Sequence, residues 1–222
     1  MAKIYAVIFD MDGLLIDTEK HLFRYWKQAA REAGYELKEE QLLQIRSLAP
    51  EYAVPKFREM MGEDFDYMAI RSRRKELMSA WLKEHGVEKK PGVEALLSWL
   101  SAHGYKRAVA TATDEKRTKE YLTSIGIYDA FDQIVCAPSV PHGKPMPDVY
   151  LHACAQIGEK PEHCLALEDS DNGALSAYRA GCKVVMVPDL AGPLPETERF
   201  LTGVAEDLGA VIPILEELER EA

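Results

Sequence analysis

Two aspartates one residue apart, Asp10 and Asp12, follow the apolar run Ile4-Tyr5-Ala6-Val7-Ile8-Phe9 and precede Gly13. The run has the near-continuous apolar texture of a buried parallel strand, and open α/β sheets collect ligands beyond the carboxyl ends of their strands. Two carboxylates crowded into such a crevice raise each other's pKa, whereas a bound cation lets both serve. Three more features stand at or just past predicted strand ends: Thr111-Ala112-Thr113-Asp114, Gly143-Lys144-Pro145 and Glu168-Asp169-Ser170. Parallel strands would gather all four at one edge. A nucleophile, a second acid, a hydroxyl, an ammonium and a further carboxylate pair are the inventory for metal-assisted phosphoryl transfer, where positioning and charge neutralisation provide most of the catalysis. Each feature alone has an ordinary reading: a solvated turn, a strand end, a surface lysine, or acids at a helix N-terminus. Their combination in this order is much harder to obtain by accident.

The elements that must position these groups fall into two textures. From Thr18 to about Gly34, Leu22, Trp26, Ala29, Ala30 and Ala33 recur at helical steps, and Gly34 suits a C-terminal stop. Further helices are predicted over 39–48, 52–61 and 65–84, the last with Met68, Arg71, Lys75, Met78 and Leu82 near one stripe. Between Thr18 and Lys90 the pattern is helical only. At Lys89-Lys90-Pro91-Gly92 it changes. A helix over 93–103 leads to a strand at 107–111, a helix at 115–125, a strand at 133–136 and a helix at 148–157. A strand at 164–167, a helix at 172–180 and a strand at 183–187 follow, then a short strand and a helix ending near Glu219. This is an α/β chain with a helical insertion after its first strand. The division predicted is an α/β core over 1–16 and 91–222 and a helical cap over 17–90.

The 222 residues are 47% hydrophobic and 29% charged, ordinary for a globular protein, and the formal charge of −10 argues against nucleic acid or an anionic membrane as partner. No secretory leader and no membrane-spanning run is read, so a cytoplasmic protein is expected, as a monomer or weak dimer. Cys136, Cys154, Cys164 and Cys182 form no C-x-x-C pair and are expected to be reduced thiols.

Phe-Asp-Met-Asp-Gly at 9–13, Ala-Thr-Ala-Thr at 110–113, Gly-Lys-Pro-x-Pro-Asp at 143–148 and Leu-Glu-Asp-Ser-x-x-Gly at 167–173 together resemble the four motifs of the haloacid dehalogenase superfamily phosphatases. The resemblance covers essentially the whole chain. It is to the subfamily with a helical cap after the first motif (subfamily IA), near the β-phosphoglucomutase-like phosphatases. It implies a Rossmann-like parallel sheet core with an inserted all-helical cap. By the same resemblance, Asp10 attacks the substrate phosphorus and carries an aspartyl-phosphate, and Asp12 is the general acid/base. Thr111 and Lys144 hold the phosphoryl oxygens, with backbone amides around Met11, Asp12 and Ala112. A magnesium ion is bound by Asp10, the main-chain carbonyl of Asp12 and Asp169, with Glu168 in support through water. The substrate implied is a small phosphorylated metabolite such as a sugar phosphate.

The cap is expected to act as a lid hinged at Ile16-Asp17-Thr18-Glu19. Arg24 and Trp26 match residues of the related sugar-phosphate mutases, and His21 reads as a solvated or capping residue. Where those mutases carry G-x-S-R, whose arginine grips a distal phosphate, this chain has Arg46-Ser47-Leu48-Ala49-Pro50-Glu51. Proline cannot bind phosphate; Arg46 or the cluster Arg71, Arg73, Arg74 and Lys75 could substitute, though the cluster reads first as the solvated face of a helix. A phosphohexomutase is therefore the alternative to a phosphatase, and a noncatalytic phospholigand-binding protein a more distant one.

Overall fold

In a computed structural model, residues 2–221 are described. Six strands form one sheet: β1 (Ala6–Phe9), β2 (Lys106–Thr111), β3 (Gln133–Cys136), β4 (Cys164–Glu168), β5 (Lys183–Met186) and β6 (Gly203–Val204). Their order is β3-β2-β1-β4-β5-β6, and every neighbouring pair is parallel. The doubly wound order reverses between β1 and β4, and the crevice beyond that reversal is where such sheets bind ligands. β1 and β4 are buried along their whole length, which explains their lack of alternation.

Residues of β1 serve two cores in turn. Val7 and Phe9 pack on one face with α5 (Val93–Ala102), α6 (Glu115–Ser124) and α10 (Val211–Arg220). Ala6 and Ile8 pack on the other with α7 (Asp148–Ile157) and α8 (Asp171–Ala180). The inward residues of α8 include Ala174, Ala177 and Ala180, and such small side chains let a helix lie close to the sheet. Asp114 accepts the Arg117 N–H to cap α6, and the Ser170 hydroxyl accepts the Gly173 N–H to cap α8. Two of the motif segments thus end a strand and start a helix within a few residues.

The insertion consists of α1 (Glu19–Glu32), α2 (Glu39–Leu43), α3 (Pro50–Met61) and α4 (Tyr67–His85) around a separate core that includes Trp26, Ala30, Phe57 and Tyr67. Its two connections run side by side: the Asp17 N–H donates to the Glu88 carbonyl at 2.9 Å and the Lys90 N–H to the Leu15 carbonyl at 3.1 Å. Ile16 and Lys89 form an isolated antiparallel bridge there, which the helix-only reading of 18–90 did not contain.

Other expectations need correction. The second cap helix stops at Leu43 rather than 48, and the third begins at Pro50, whose fixed φ suits a first turn. On α4 the buried residues are Tyr67, Ile70, Arg74, Met78 and Leu82, while Met68 is 57% exposed. The stripe is rotated because the aromatic Tyr67 and the guanidinium of Arg74, rather than Met68, face the Trp26 ring. A further short helix, α9 (Pro195–Glu198), lies before β6. All four cysteines are buried free thiols. None of the described helices is long and apolar enough to cross a membrane.

Candidate active site

The sheet delivers its chemistry at the carboxyl edge. Asp10 is the first residue beyond β1, and its N–H donates to the Leu167 carbonyl at 3.0 Å, fixing it beside the end of β4. Glu168 is the last residue of β4. Lys144, in the loop before α7, is completely buried and donates to Asp10 Oδ1 at 2.5 Å and to Glu168 Oε1 at 2.6 Å. Tyr150 of α7 donates its hydroxyl to the same Glu168 oxygen at 2.6 Å. Burial pushes the Asp10 carboxyl up to about 7, against the pull of Lys144 and with Glu168 and Asp12 adding to the rise. Burial also opposes the charge on Lys144, yet attraction to Asp10 and Glu168 outweighs it and holds the ammonium above its usual range. One lysine shared with a second carboxylate leaves Asp10 undercompensated.

Asp12 is held differently. Its two oxygens accept hydroxyl hydrogen bonds from Thr18 at 2.6 Å and Thr113 at 2.7 Å, one from each side of the crevice. Thr111 is buried, and its Oγ1 accepts the Thr113 N–H at 3.1 Å. Gly13 follows with φ +81°, and a Cβ there would lie 2.1 Å from Asp169 Oδ2. Only glycine allows both that backbone and that approach.

Carboxylate oxygens of Asp10, Glu168 and Asp169 lie within 4.8 Å of one another. Asp169 Oδ1 and Glu168 Oε2 are buried without a hydrogen-bond partner. Burial raises the Asp169 carboxyl well above its usual range, with Arg46 opposing and Glu19, Asp10 and Glu168 adding to the rise. An all-oxygen, acid-rich set with orphaned lone pairs fits a hard divalent cation such as magnesium. The Asp12 carboxylate is not among these three, and its oxygens are taken by the two threonines.

The helical insertion closes over this edge. The Ala49 N–H donates to the Lys144 carbonyl at 2.9 Å, Asn172 Nδ2 donates to the Arg46 carbonyl at 2.9 Å, and the Ser170 hydroxyl donates to Ser47 Oγ at 3.0 Å. Arg46, buried, donates to the Asp169 carbonyl oxygen at 3.1 Å and to its carboxylate, with Nε 3.5 Å from Glu19. Beneath the closed cap is a cavity of about 120 Å³. Asp10, Asp12, Ala112 and Thr113 line its core side, and Leu22, Trp26, Arg46, Arg71 and Arg74 are among its cap residues.

Asp10, Lys144, Glu168 and Asp169 are thus brought together, and Asp12 and Ala112 face the cavity beside them. The Met11 side chain is buried in the core, and its carbonyl accepts the N–H groups of Leu14, Leu15 and Ile16. Thr111 does not line the cavity. The reading of Arg71, Arg73, Arg74 and Lys75 as a solvated face holds for Arg73, which is exposed and pairs with Glu32 and Glu76, but Arg71 and Arg74 line the cavity instead. His21 is half-buried, and its ring lies 3.9 Å from that of Trp81. Thr113 lies in a motif and Thr18 and Glu19 in the hinge, but sequence reasoning assigns none of them, nor Tyr150, a role in the site. Thr113 belongs to a motif and Thr18 follows one within a few residues, and both carried that much signal. Tyr150 occupies an ordinary core position of α7 and carried none.

Residues 7–187 match the family model of the haloacid dehalogenase-like hydrolases. The phosphorylated carbohydrates phosphatase of Thermotoga maritima is 31% identical, over 79% of this chain and 81% of its own length. The fructose-1-phosphate phosphatase of Escherichia coli is 30% identical, over 84% of this chain and 98% of its own. Among solved structures, β-phosphoglucomutase from Clostridium difficile shares the fold with a TM-score of 0.82 at 21% identity, covering 98% of each chain. The chain belongs to the haloacid dehalogenase-like hydrolase family.

Proposed function

We propose that this haloacid dehalogenase-like hydrolase is a magnesium-dependent phosphatase that hydrolyses a small phosphorylated metabolite of the sugar-phosphate kind through an aspartyl-phosphate on Asp10. The observation that carries the reading is the placement of Asp10, shared with Glu168 by the buried Lys144, next to an Asp12 that opens on the capped cavity. An Asp10 oxygen forms a bond to phosphorus as the ester oxygen–phosphorus bond breaks, and Asp12 gives its proton to the departing alkoxide. Asp12 then takes a proton from the water that attacks the phosphoenzyme, releasing inorganic phosphate and the Asp10 carboxylate. Thr18 and Thr113 hold the Asp12 carboxylate in place for both transfers. Lys144 offsets charge between Asp10 and the phosphoryl group. Thr111, whose Oγ1 accepts the Thr113 N–H just behind the cavity wall, is assigned by the motif to a phosphoryl oxygen, with the Met11 and Ala112 amides alongside. Asp10, the Asp12 carbonyl and Asp169, with Glu168 in support, would hold magnesium, which would supply neutralisation of phosphoryl charge.

The names of the Thermotoga and Escherichia relatives support the substrate class. A cytoplasmic monomer or weak dimer belongs to the same proposal. The phosphohexomutase alternative is disfavoured because the cap segment presents Pro50 where those mutases place a phosphate-gripping arginine. Release of phosphate from para-nitrophenyl phosphate with magnesium, reduced at least about a thousandfold in Asp10→Asn, is the expected result. An Asp10→Asn protein as active as wild type would overturn the reading. Isomer formation from a sugar monophosphate, primed by its bisphosphate and without net phosphate release, would replace it with the mutase.

A further inference from the structure

Arg74 is the unexplained charge in this molecule. It projects from α4 into the seam between the insertion and the core and is only 7% exposed. Its guanidinium lies 5.3 Å from the centre of the Trp26 ring and Nη1 reaches the Met78 sulfur at 4.0 Å, while Nε has no acceptor at all. A ring face and a thioether are poor partners for a buried cation, whose desolvation is tolerated when carboxylate or phosphate oxygens complete its hydrogen bonds. The cavity that Asp10 and Asp12 line on one side is lined by Arg74 on another.

Arg74 is not alone there. Arg71 and Arg117 line the same cavity, and Lys75 is close enough to be repelled by all three. Arg117 is paired with Asp114 at 2.7 Å and Arg71 is hydrogen-bonded to Tyr67, whereas Arg74 has no carboxylate in contact among the described residues and feels Asp12 only across the cavity. Burial first, then the neighbouring Arg71 and Arg117, pushes Arg74 down to about 10, and burial with the same neighbours pushes Lys75 down to about 8. The cap's own core includes Trp26, Ala30, Phe57 and Tyr67, and of the four cations Arg74 is stacked on that core through the Trp26 ring.

We propose that the substrate is a compact phosphomonoester carrying a second anionic group, a carboxylate or another phosphate, at the end remote from the ester that is cleaved, and that Arg74 with Arg71 receives that group. The assignment rests on the phosphatase reading and narrows it. The planar guanidinium fork matches either oxyanion, which makes the cap wall a selector of charge rather than of sugar shape. A substrate with only hydroxyls at its far end would leave Arg74 desolvated without an acceptor. Sites with an unmet buried polar group discriminate strongly against such analogues.

Steady-state kinetics of the full chain with magnesium on two matched pairs tests this. The pairs are glycerol 3-phosphate against 3-phosphoglycerate, and fructose 1-phosphate against fructose 1,6-bisphosphate. The member with the anionic far end should have a kcat/KM at least about tenfold higher in one pair or both, carried by KM, and the pair that shows it identifies carboxylate or phosphate as the group received. In Arg74→Gln and Arg71→Gln the preference should collapse to near parity through KM. If Arg74→Gln does not fold, Arg71→Gln and the wild-type ratios decide. Equal or better turnover of the neutral-ended member in both pairs overturns the proposal while leaving an Asp10-dependent phosphatase intact. No turnover of these substrates or of para-nitrophenyl phosphate removes the phosphatase reading and this inference with it.

Discussion

Gly173 shows how much of the site is decided by single atoms. A Cβ at this position would lie 2.1 Å from Glu168 Oε2 and 2.3 Å from Oε1. That carboxylate cannot step aside, because Lys144 and Tyr150 both hold its Oε1 at 2.6 Å. Gly173→Ala should therefore cost about 1–3 kcal/mol in urea-unfolding stability and weaken magnesium binding in calorimetric titration. A variant with wild-type values in both measurements would show that Glu168 is not confined as described. The glycine was visible as part of a motif, but its reason was not, since the atom it avoids lies across a strand-to-helix turn.

At the scale of elements, a polar contact helps tie down the far end of α10. Tyr105, in the link between α5 and β2, donates its hydroxyl to Glu219 at 2.5 Å. Burial, then the hydrogen bond to Glu219 and its charge, raises the phenol above its ordinary 10.0. The folded state thus keeps this proton longer than the unfolded chain does. The contribution is complete below about pH 10 and is lost as pH rises above it. Tyr105→Phe should lose about 1 kcal/mol at neutral pH, and its urea midpoint should fall less steeply than that of wild type above pH 10. Parallel curves for the two proteins would remove the hydrogen bond from the account. Periodicity placed α10 correctly and misplaced the buried face of α4, for the same reason. α10 offers an apolar stripe, Val211, Leu215 and Leu218. The seam face of α4 mixes Tyr67 and Arg74 with aliphatic residues, and no stripe of one character marks it.

Across the whole molecule, the insertion meets the core through side chains such as Arg46 and, at Gly143, through a close backbone approach. Gly143, beside Lys144, lies so near Ala49 that a Cβ would be 2.5 Å from the Ala49 Cβ. The Gly143 N–H also donates to Glu51 at 3.2 Å, at the start of α3. Gly143→Val should hold the cap off the sheet edge, enlarging the particle in small-angle scattering and lowering kcat/KM by at least about tenfold. Unchanged scattering and kinetics would mean that the closed contact is not needed for turnover.

Strand texture, turn residues and four short motifs determined the α/β class, the place of the helical insertion and the acids of the candidate site, because buried parallel strands and the residues that end them are local properties of the chain. Only the tertiary structure decided that Lys144 spans two carboxylates, that Thr18 and Thr113 share Asp12, and that Arg71 and Arg74 turn inward while Arg73 faces solvent. Those facts depend on which side chains from distant segments meet when the cap lies on the sheet, and helical spacing within α4 carries no record of what stands opposite.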